Sequence, residues 1–247
     1  MRVVVTRPQA SGQKTAKLLR EHGHEPVLLP LTQPIHHIET AALALAKQPQ
    51  ALAVTSAEAV RVLIAGNLGV STLIQTPLFT VGSASARAAR EAGFENIIAG
   101  KSDGQALADL IASVRKSTPA PWSRLLYLAG TPRDEGFEER LSALDIPFET
   151  IEAYEMTPVS WDRARLDILF ADATADAVLF YSSEAVRLFF KLLVGQPVFR
   201  QLDHCKFICI SRKVLSEIPV AFRSNALASA IPSESEMFDL LDAKAGT

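Results

Sequence analysis

The chain has 247 residues, 48% hydrophobic and 21% charged, enough for one large domain or two of about 120 residues each. A formal net charge of −2 excludes the global basic field that holds nucleic acid through counterion release. No apolar run approaches the ~18–20 residues of a membrane span, and Met1-Arg2-Val3-Val4-Val5-Thr6-Arg7 lacks a signal peptide's apolar core, so a cytoplasmic protein is expected.

In chain order, a strand at Arg2–Thr6 leads through Arg7-Pro8 into a helix near Ser11–His22. Thr15, Leu18, Leu19 and His22 share one face of that helix, and Gly23 is placed to end it in the left-handed conformation. A strand at Pro26–Leu31 follows, then Thr32–Glu39, an extended, polar, Pro-containing connection in which His36-His37 read as solvated residues. Strands are expected at Ala51–Val54, Leu78–Val81, Asn96–Ala99 and Leu125–Leu128, with a helix over Gly104–Arg115 carrying Leu107, Leu110, Ile111 and Val114 at helical spacing. Phe137, Leu141 and Leu144 mark another helix, and Phe148–Glu152 another strand. Beyond a second polar, Pro-containing connection at Glu155–Ser160, strands are expected at Ala177–Tyr181, Phe207–Ile210 and Ala226–Ala228, and Met237, Leu240 and Leu241 mark the last helix. Cys205 and Cys209 stand beside His204 with neither CxxC nor HxxxH, and read as buried free thiols on or beside a strand rather than zinc ligands. Strands alternating with helices predict an α/β fold of parallel sheets flanked by helices.

An internal duplication organises these elements. Val54-Thr55-Ser56-Ala57-Glu58-Ala59-Val60-Arg61 resembles Phe180-Tyr181-Ser182-Ser183-Glu184-Ala185-Val186-Arg187, and each copy is a strand ending in a hydroxyl residue that opens a helix. A second such junction follows in each, at Val81-Gly82-Ser83 and at Ile210-Ser211. The opening unit Arg2–Leu31 is echoed at Arg124–Tyr154, so the chain order is A, B, A′, B′. Repetition allows a sequential pairing, A with B and A′ with B′, and equally a nested one, A with B′ around B and A′.

Open parallel sheets place ligands beyond the C-terminal ends of their strands. Those places here hold Thr6-Arg7, Thr55-Ser56, Gly82-Ser83, Gly130-Thr131, Ser182-Ser183 and Ser211-Arg212, ahead of helix N-termini that favour anions. Each hydroxyl taken singly reads as a helix cap; together they point to a polyanion. There is no GxxxxGK[ST], no GxGxxG after a strand, no G-x-S-x-G and no HExxH. The acidic residues form no pair that the sequence places on one face. The chemistry expected is therefore positioning of a substrate that is itself reactive.

Several segments in this order resemble uroporphyrinogen-III synthases. They are Val4-Val5-Thr6-Arg7-Pro8 with Lys17-Leu18-Leu19, Thr55-Ser56 before Glu58-Ala59-Val60, Thr80-Val81-Gly82, Gly93-Phe94, Ser102-Asp103-Gly104, Tyr154 ahead of Thr157-Pro158, and Tyr181-Ser182-Ser183. Ser183 stands where the family often has Pro, and Ile210 where it has Gly.

The resemblance implies the nested arrangement, with flavodoxin-like lobes. Residues 1–35 plus 160–247 form one domain, 36–159 an inserted second, and a two-stranded β linker joins them. It further implies a lyase without cofactor or metal that cyclises hydroxymethylbilane, held in the cleft between the domains, with inversion of ring D and loss of water. Tyr154 is the implied general acid. Thr6, Arg7, Thr55, Ser56, Gly82, Ser83, Lys101, Ser182, Ser183 and Ser211 are the implied substrate contacts, Arg7 and Lys101 being the cationic ones. As partners it implies the tetrapyrrole substrate and a transient hand-off from hydroxymethylbilane synthase, with a monomer that needs neither nucleic acid nor membrane. The alternatives are a non-catalytic bilobed binder of an anionic small molecule, and a receiver-like signalling protein, which Thr6-Arg7 at the first strand's end disfavours because a receiver carries an acidic cluster there.

Overall fold

A computed structural model describes residues 1–68, 70–101, 103–118, 122–170 and 174–243; Ser102 lies outside the described residues. In chain order the first elements are β1 (Arg2–Val5), α1 (Gln9–Glu21), β2 (Glu25–Leu28), β3 (Thr32–His36), α2 (Ile38–Leu45) and β4 (Ala51–Val54). There follow α3 (Ala57–Ala65), α4 (Val70–Leu73), β5 (Leu78–Val81), α5 (Gly82–Glu91), β6 (Ile97–Gly100) and α6 (Gly104–Ser117). Next come β7 (Leu125–Thr131), α7 (Gly136–Ala143), β8 (Phe148–Pro158), α8 (Arg163–Leu169), β9 (Ala177–Phe180) and α9 (Ser183–Leu193). The last are β10 (Lys206–Cys209), α10 (Arg212–Leu215), β11 (Ala226–Ala228) and α11 (Glu234–Asp242).

The chain divides into two compact units, Met1–Gln33 with Thr157–Thr247, and Pro34–Met156. Among the described residues the first holds a sheet in the order β2-β1-β9-β10-β11, each neighbouring pair parallel. The other sheet runs β3-β8-β7-β4-β5-β6, parallel from β8 to β6. Apart from the edge strand β3, the two orders are equivalent. Each sets the strands of an A-type unit beside those of a B-type unit, with β1 against β9 (Val4↔Val178) and β7 against β4 (Leu126↔Leu52). The fold is α/β, with parallel sheets flanked by helices.

Strand periodicity sorts the cores. In the second unit Leu52, Val54, Leu78, Leu126 and Leu128 face α2, α3 and α5, while Ala51, Ala53, Phe79, Leu125, Tyr127 and Ala129 face α6 and α7. In the first unit Val4, Val178, Phe180 and Phe207 point toward α9, where Phe180 and Phe189 meet edge-on at 5.2 Å. Val3, Val5, Leu179 and Ile208 point toward α1 and α11.

Local corrections have physical causes. On α1, Gly12, Thr15, Ala16 and Leu19 are buried, but Leu18 and His22 of the expected face are exposed, so the buried stripe is turned toward Gly12 and Ala16. Gly23 ends the helix at φ +77°. The segment Thr32–His36, expected as an extended connection and by the resemblance as part of a two-stranded β linker, is the strand β3, and its Pro34 is tolerated because β3 is an edge. β8 pairs with β7 through Gly130 and Thr131 as far as Glu155, and itself runs on to Pro158. His36 is not merely solvated: its Nε2 lies 2.8 Å from Glu58 Oε1, and Glu58 is also bound by Arg61.

Candidate functional site

In each sheet one strand has neighbours whose following helices leave to opposite faces. At β4 and β7, α3 goes to one face and α7 to the other, which opens a crevice beyond the strand ends, the place where open α/β sheets take ligands. A cavity of about 450 Å³ lies there, wholly within the second unit. Thr55 enters it from the end of β4, and Tyr127 and Gly130 from β7. Arg133 and Asp134 come from the loop before α7, Asp103 and Gln105 from the start of α6, and Tyr154 from β8.

Tyr154 reaches this cavity through an irregularity in its strand. Ala129 pairs with Glu152 but Gly130 pairs with Tyr154, so Ala153 is an extra residue in β8. A one-residue insertion of this kind re-aims every side chain after it. The tyrosine ring lies against Gly130, where an added Cβ would collide with the ring and its oxygen, so a side chain there would displace the ring. Tyr154 is 8% exposed, and burial pushes its phenol above the ordinary value although a hydrogen bond with Ser56 works the other way. The group stays protonated, as a donor must.

Consecutive hydroxyls thus meet separate phenols. Ser56 partners Tyr154 and also caps α3, accepting from Glu58 N at 3.1 Å. Thr55 Oγ1 lies 2.9 Å from Tyr127 Oη. The Tyr127 phenol is pushed up by burial, with Glu138 adding to the effect and Thr55 opposing it. Arg133, the cation on this wall, is held by Glu138 (2.7 Å) and Glu152 (3.3 Å), so its charge is neutralised locally, while Asp103 and Asp134 leave the wall acidic.

The other expected residues of this unit stand apart from the cavity. Gly82 opens α5 at φ +70°, and the cap position there belongs to Val81, which offers no side-chain bond. Ser83, expected as the hydroxyl of that junction, is the second helical residue and exposed. Lys101 is exposed just past β6 and does not line the cavity.

In the first unit the equivalent crevice lies between β1 and β9. Thr6 is 2% exposed and its hydroxyl donates to Leu179 O at 2.8 Å, so this side chain ties the two strands together and is spent. Arg7 lies 4.2 Å over the Tyr181 ring and donates to Glu234 Oε1 at 3.1 Å. The same oxygen receives Tyr181 Oη at 2.7 Å and Thr15 Oγ1 at 2.6 Å. Burial and then the Glu234 charge hold the Tyr181 phenol far above the ordinary range. Ser182 caps α9 by accepting from Ala185 N at 3.1 Å, Ser183 is the first helical residue, and Ser211 caps α10 by accepting from Val214 N at 3.4 Å. A capping oxygen keeps its own proton to donate.

Sequence reasoning missed Tyr127, Arg133, Asp134 and Glu234. Tyr127 sits in an apolar strand and signals nothing but its hydroxyl, while Glu234 meets Arg7 across most of the chain. Asp103 and Asp134, which no spacing joins, line one cavity. Among the described residues no group of three or more His, Cys, Asp or Glu is placed to hold a metal, and no helix is long and apolar enough to cross a membrane. Cys205 and Cys209 are buried free thiols, each pushed up to about 12 chiefly by burial.

The family described as Uroporphyrinogen-III synthase HemD matches residues 13–241. The chain belongs to the uroporphyrinogen-III synthase family. Among solved structures, the uroporphyrinogen-III synthetase of Helicobacter pylori matches with TM-score 0.64 at 15% identity, covering 98% of each chain. A mutant uroporphyrinogen III synthase of the thermophilic bacterium Thermus thermophilus matches with TM-score 0.54 at 18% identity, covering 98% of this chain and 96% of that one. At such identities the likeness shows the shared fold of these synthases. Comparison with curated protein sequences gives no match.

Proposed function

We propose that the protein is a uroporphyrinogen-III synthase that closes hydroxymethylbilane to uroporphyrinogen III with inversion of ring D and loss of water. The observation that carries the reading is a buried, protonated Tyr154 phenol on the wall of a 450 Å³ cavity, in a chain of this family. Tyr154 gives its proton to the ring A hydroxyl, the C–O bond breaks, and water leaves. The azafulvenium cation that remains is attacked by the substituted carbon of ring D. The spiro intermediate then fragments and recloses with ring D turned over, and the proton lost on rearomatisation restores the phenol. Asp103 and Asp134 favour the cationic character that grows as the C–O bond breaks. Arg133, already matched by Glu138 and Glu152, does not oppose it.

Substrate carboxylates are assigned to the strand-end donors Ser56, Gly82, Ser83, Ser182, Ser183 and Ser211, with Arg7 and Lys101 as cations. Thr6 is left out because its hydroxyl is buried and committed to Leu179. Wrong-carbon closure gives the symmetric isomer, so fidelity is a matter of geometry.

The test is to mix pure protein with freshly made hydroxymethylbilane and identify the isomer formed. Type III product supports the reading. Product that is solely type I sinks it and leaves a non-catalytic binder. Tyr154→Phe is expected to lower kcat by roughly a hundredfold, the low end of what a positioned acid contributes, with KM and the circular dichroism spectrum unchanged. A variant with full turnover and fidelity removes Tyr154 from the acid role.

A further inference from the structure

Tyr127 lies in the run Leu125-Leu126-Tyr127-Leu128-Ala129, where every residue is buried. Its ring packs edge-on against Phe137 at 4.8 Å, a contact that phenylalanine would make equally well. The hydroxyl is therefore the part that packing does not explain, since a buried phenol needs a partner to offset its lost hydration.

That partner is Thr55. Tyr127 is in register with Ala53, so Thr55 lies two residues further along the adjacent strand, a rise of ~6.6 Å that a tyrosine side chain spans. Thr55 has no task in the helix that follows, because Ser56 provides the α3 cap. Both members of the 2.9 Å pair line the cavity. Either hydroxyl can donate across this pair; with the phenol, the more acidic of the two, as donor, the threonine oxygen accepts. The threonine proton is then left directed away from the phenol, on a hydroxyl that the incoming bond makes a stronger donor.

We propose that Tyr127 is a positioning residue that orients the Thr55 hydroxyl, and that Thr55 donates a hydrogen bond to a neutral acceptor oxygen of the substrate. This rests on the synthase reading, in which that oxygen belongs to the leaving hydroxyl that Tyr154 protonates. Thr55 transfers no proton. It holds the oxygen in line with the acid while the C–O bond breaks.

The experiment compares Tyr127→Phe, Thr55→Val, Thr55→Ser and the double variant Tyr127→Phe/Thr55→Val with the wild type. It reads kcat, KM and isomer ratio on freshly made hydroxymethylbilane from neutral to mildly alkaline pH. Tyr127→Phe and Thr55→Val are each expected to lower kcat about tenfold, the worth of one neutral hydrogen bond, with KM nearly unchanged. The double variant is expected to be no slower than Thr55→Val, and Thr55→Ser, which keeps a hydroxyl, to lose less kcat than Thr55→Val. The loss should be the same at every pH in that range, since the phenol only orients.

Tyr127→Phe with wild-type kcat, or losses that multiply in the double variant, overturns this inference alone. Should Tyr127→Phe fold poorly, wild-type kcat in Thr55→Val overturns it equally. A wild-type protein that makes no type III isomer overturns the synthase reading and this inference with it.

Discussion

At the scale of single residues, the second unit is organised around what Gly130 lacks. The Tyr154 ring fills the space a Cβ would take, and this contact together with the extra residue Ala153 sets where the phenol points. Gly130→Ala is therefore expected to push the ring off its seat, lowering kcat at least tenfold and destabilising the fold by about 1–3 kcal/mol, as overpacking does. Steady-state kinetics and a denaturant melt check both; unchanged values would mean that the ring has room. The sequence drew attention to Tyr154 by resemblance and to Gly130 only as a loop glycine. Nothing in the linear pattern pairs them, because their apposition depends on the register between β7 and β8.

At the scale of elements, the hydroxyl junctions divide into those that cap and those that do not. Ser56, Ser182 and Ser211 each accept from a helix amide two or three residues on, as strand-to-helix junctions favour. The junction at Gly82-Ser83 is built otherwise, with Val81 at the cap position. Ser182→Ala is expected to cost about 1 kcal/mol through the lost cap, while Ser83→Ala changes stability by less than about 0.5 kcal/mol. Chemical denaturation of the two variants side by side checks this, and equal losses would contradict the distinction. Sequence alone read both sites as the same motif because the cap is decided by backbone angles, here by Gly82 at φ +70° placing the turn one residue early.

At the scale of the whole molecule, all three tyrosines of the chain are held above the ordinary phenol value, each chiefly by burial. In the unfolded chain they ionise near pH ~10. Below that pH they are protonated in both states. Above it the unfolded chain releases protons that the folded one retains, so stability falls as pH rises through this window. In an alkaline titration phenolate absorbance should stay absent up to the ordinary phenol value and then appear together with loss of the circular dichroism signal. Phenolate forming at that value with the spectrum intact would show the rings open to water.

Apolar runs, hydroxyl junctions and the copied Glu-Ala-Val-Arg motif carried the α/β class and the A, B, A′, B′ order, because hydrophobic periodicity and helix entry are local properties of a chain. Which A joins which B is not local. The ladders Val4↔Val178 and Leu126↔Leu52 decide it, and the cavity exists only because β4 and β7, far apart in sequence, become neighbours. Tyr127 beside Thr55 and Tyr154 over Gly130 follow from such pairings, and Arg7 is matched by Glu234 through the packing of α11 on the first sheet. Strand register is set by the packing of whole faces, and no residue shows it in advance.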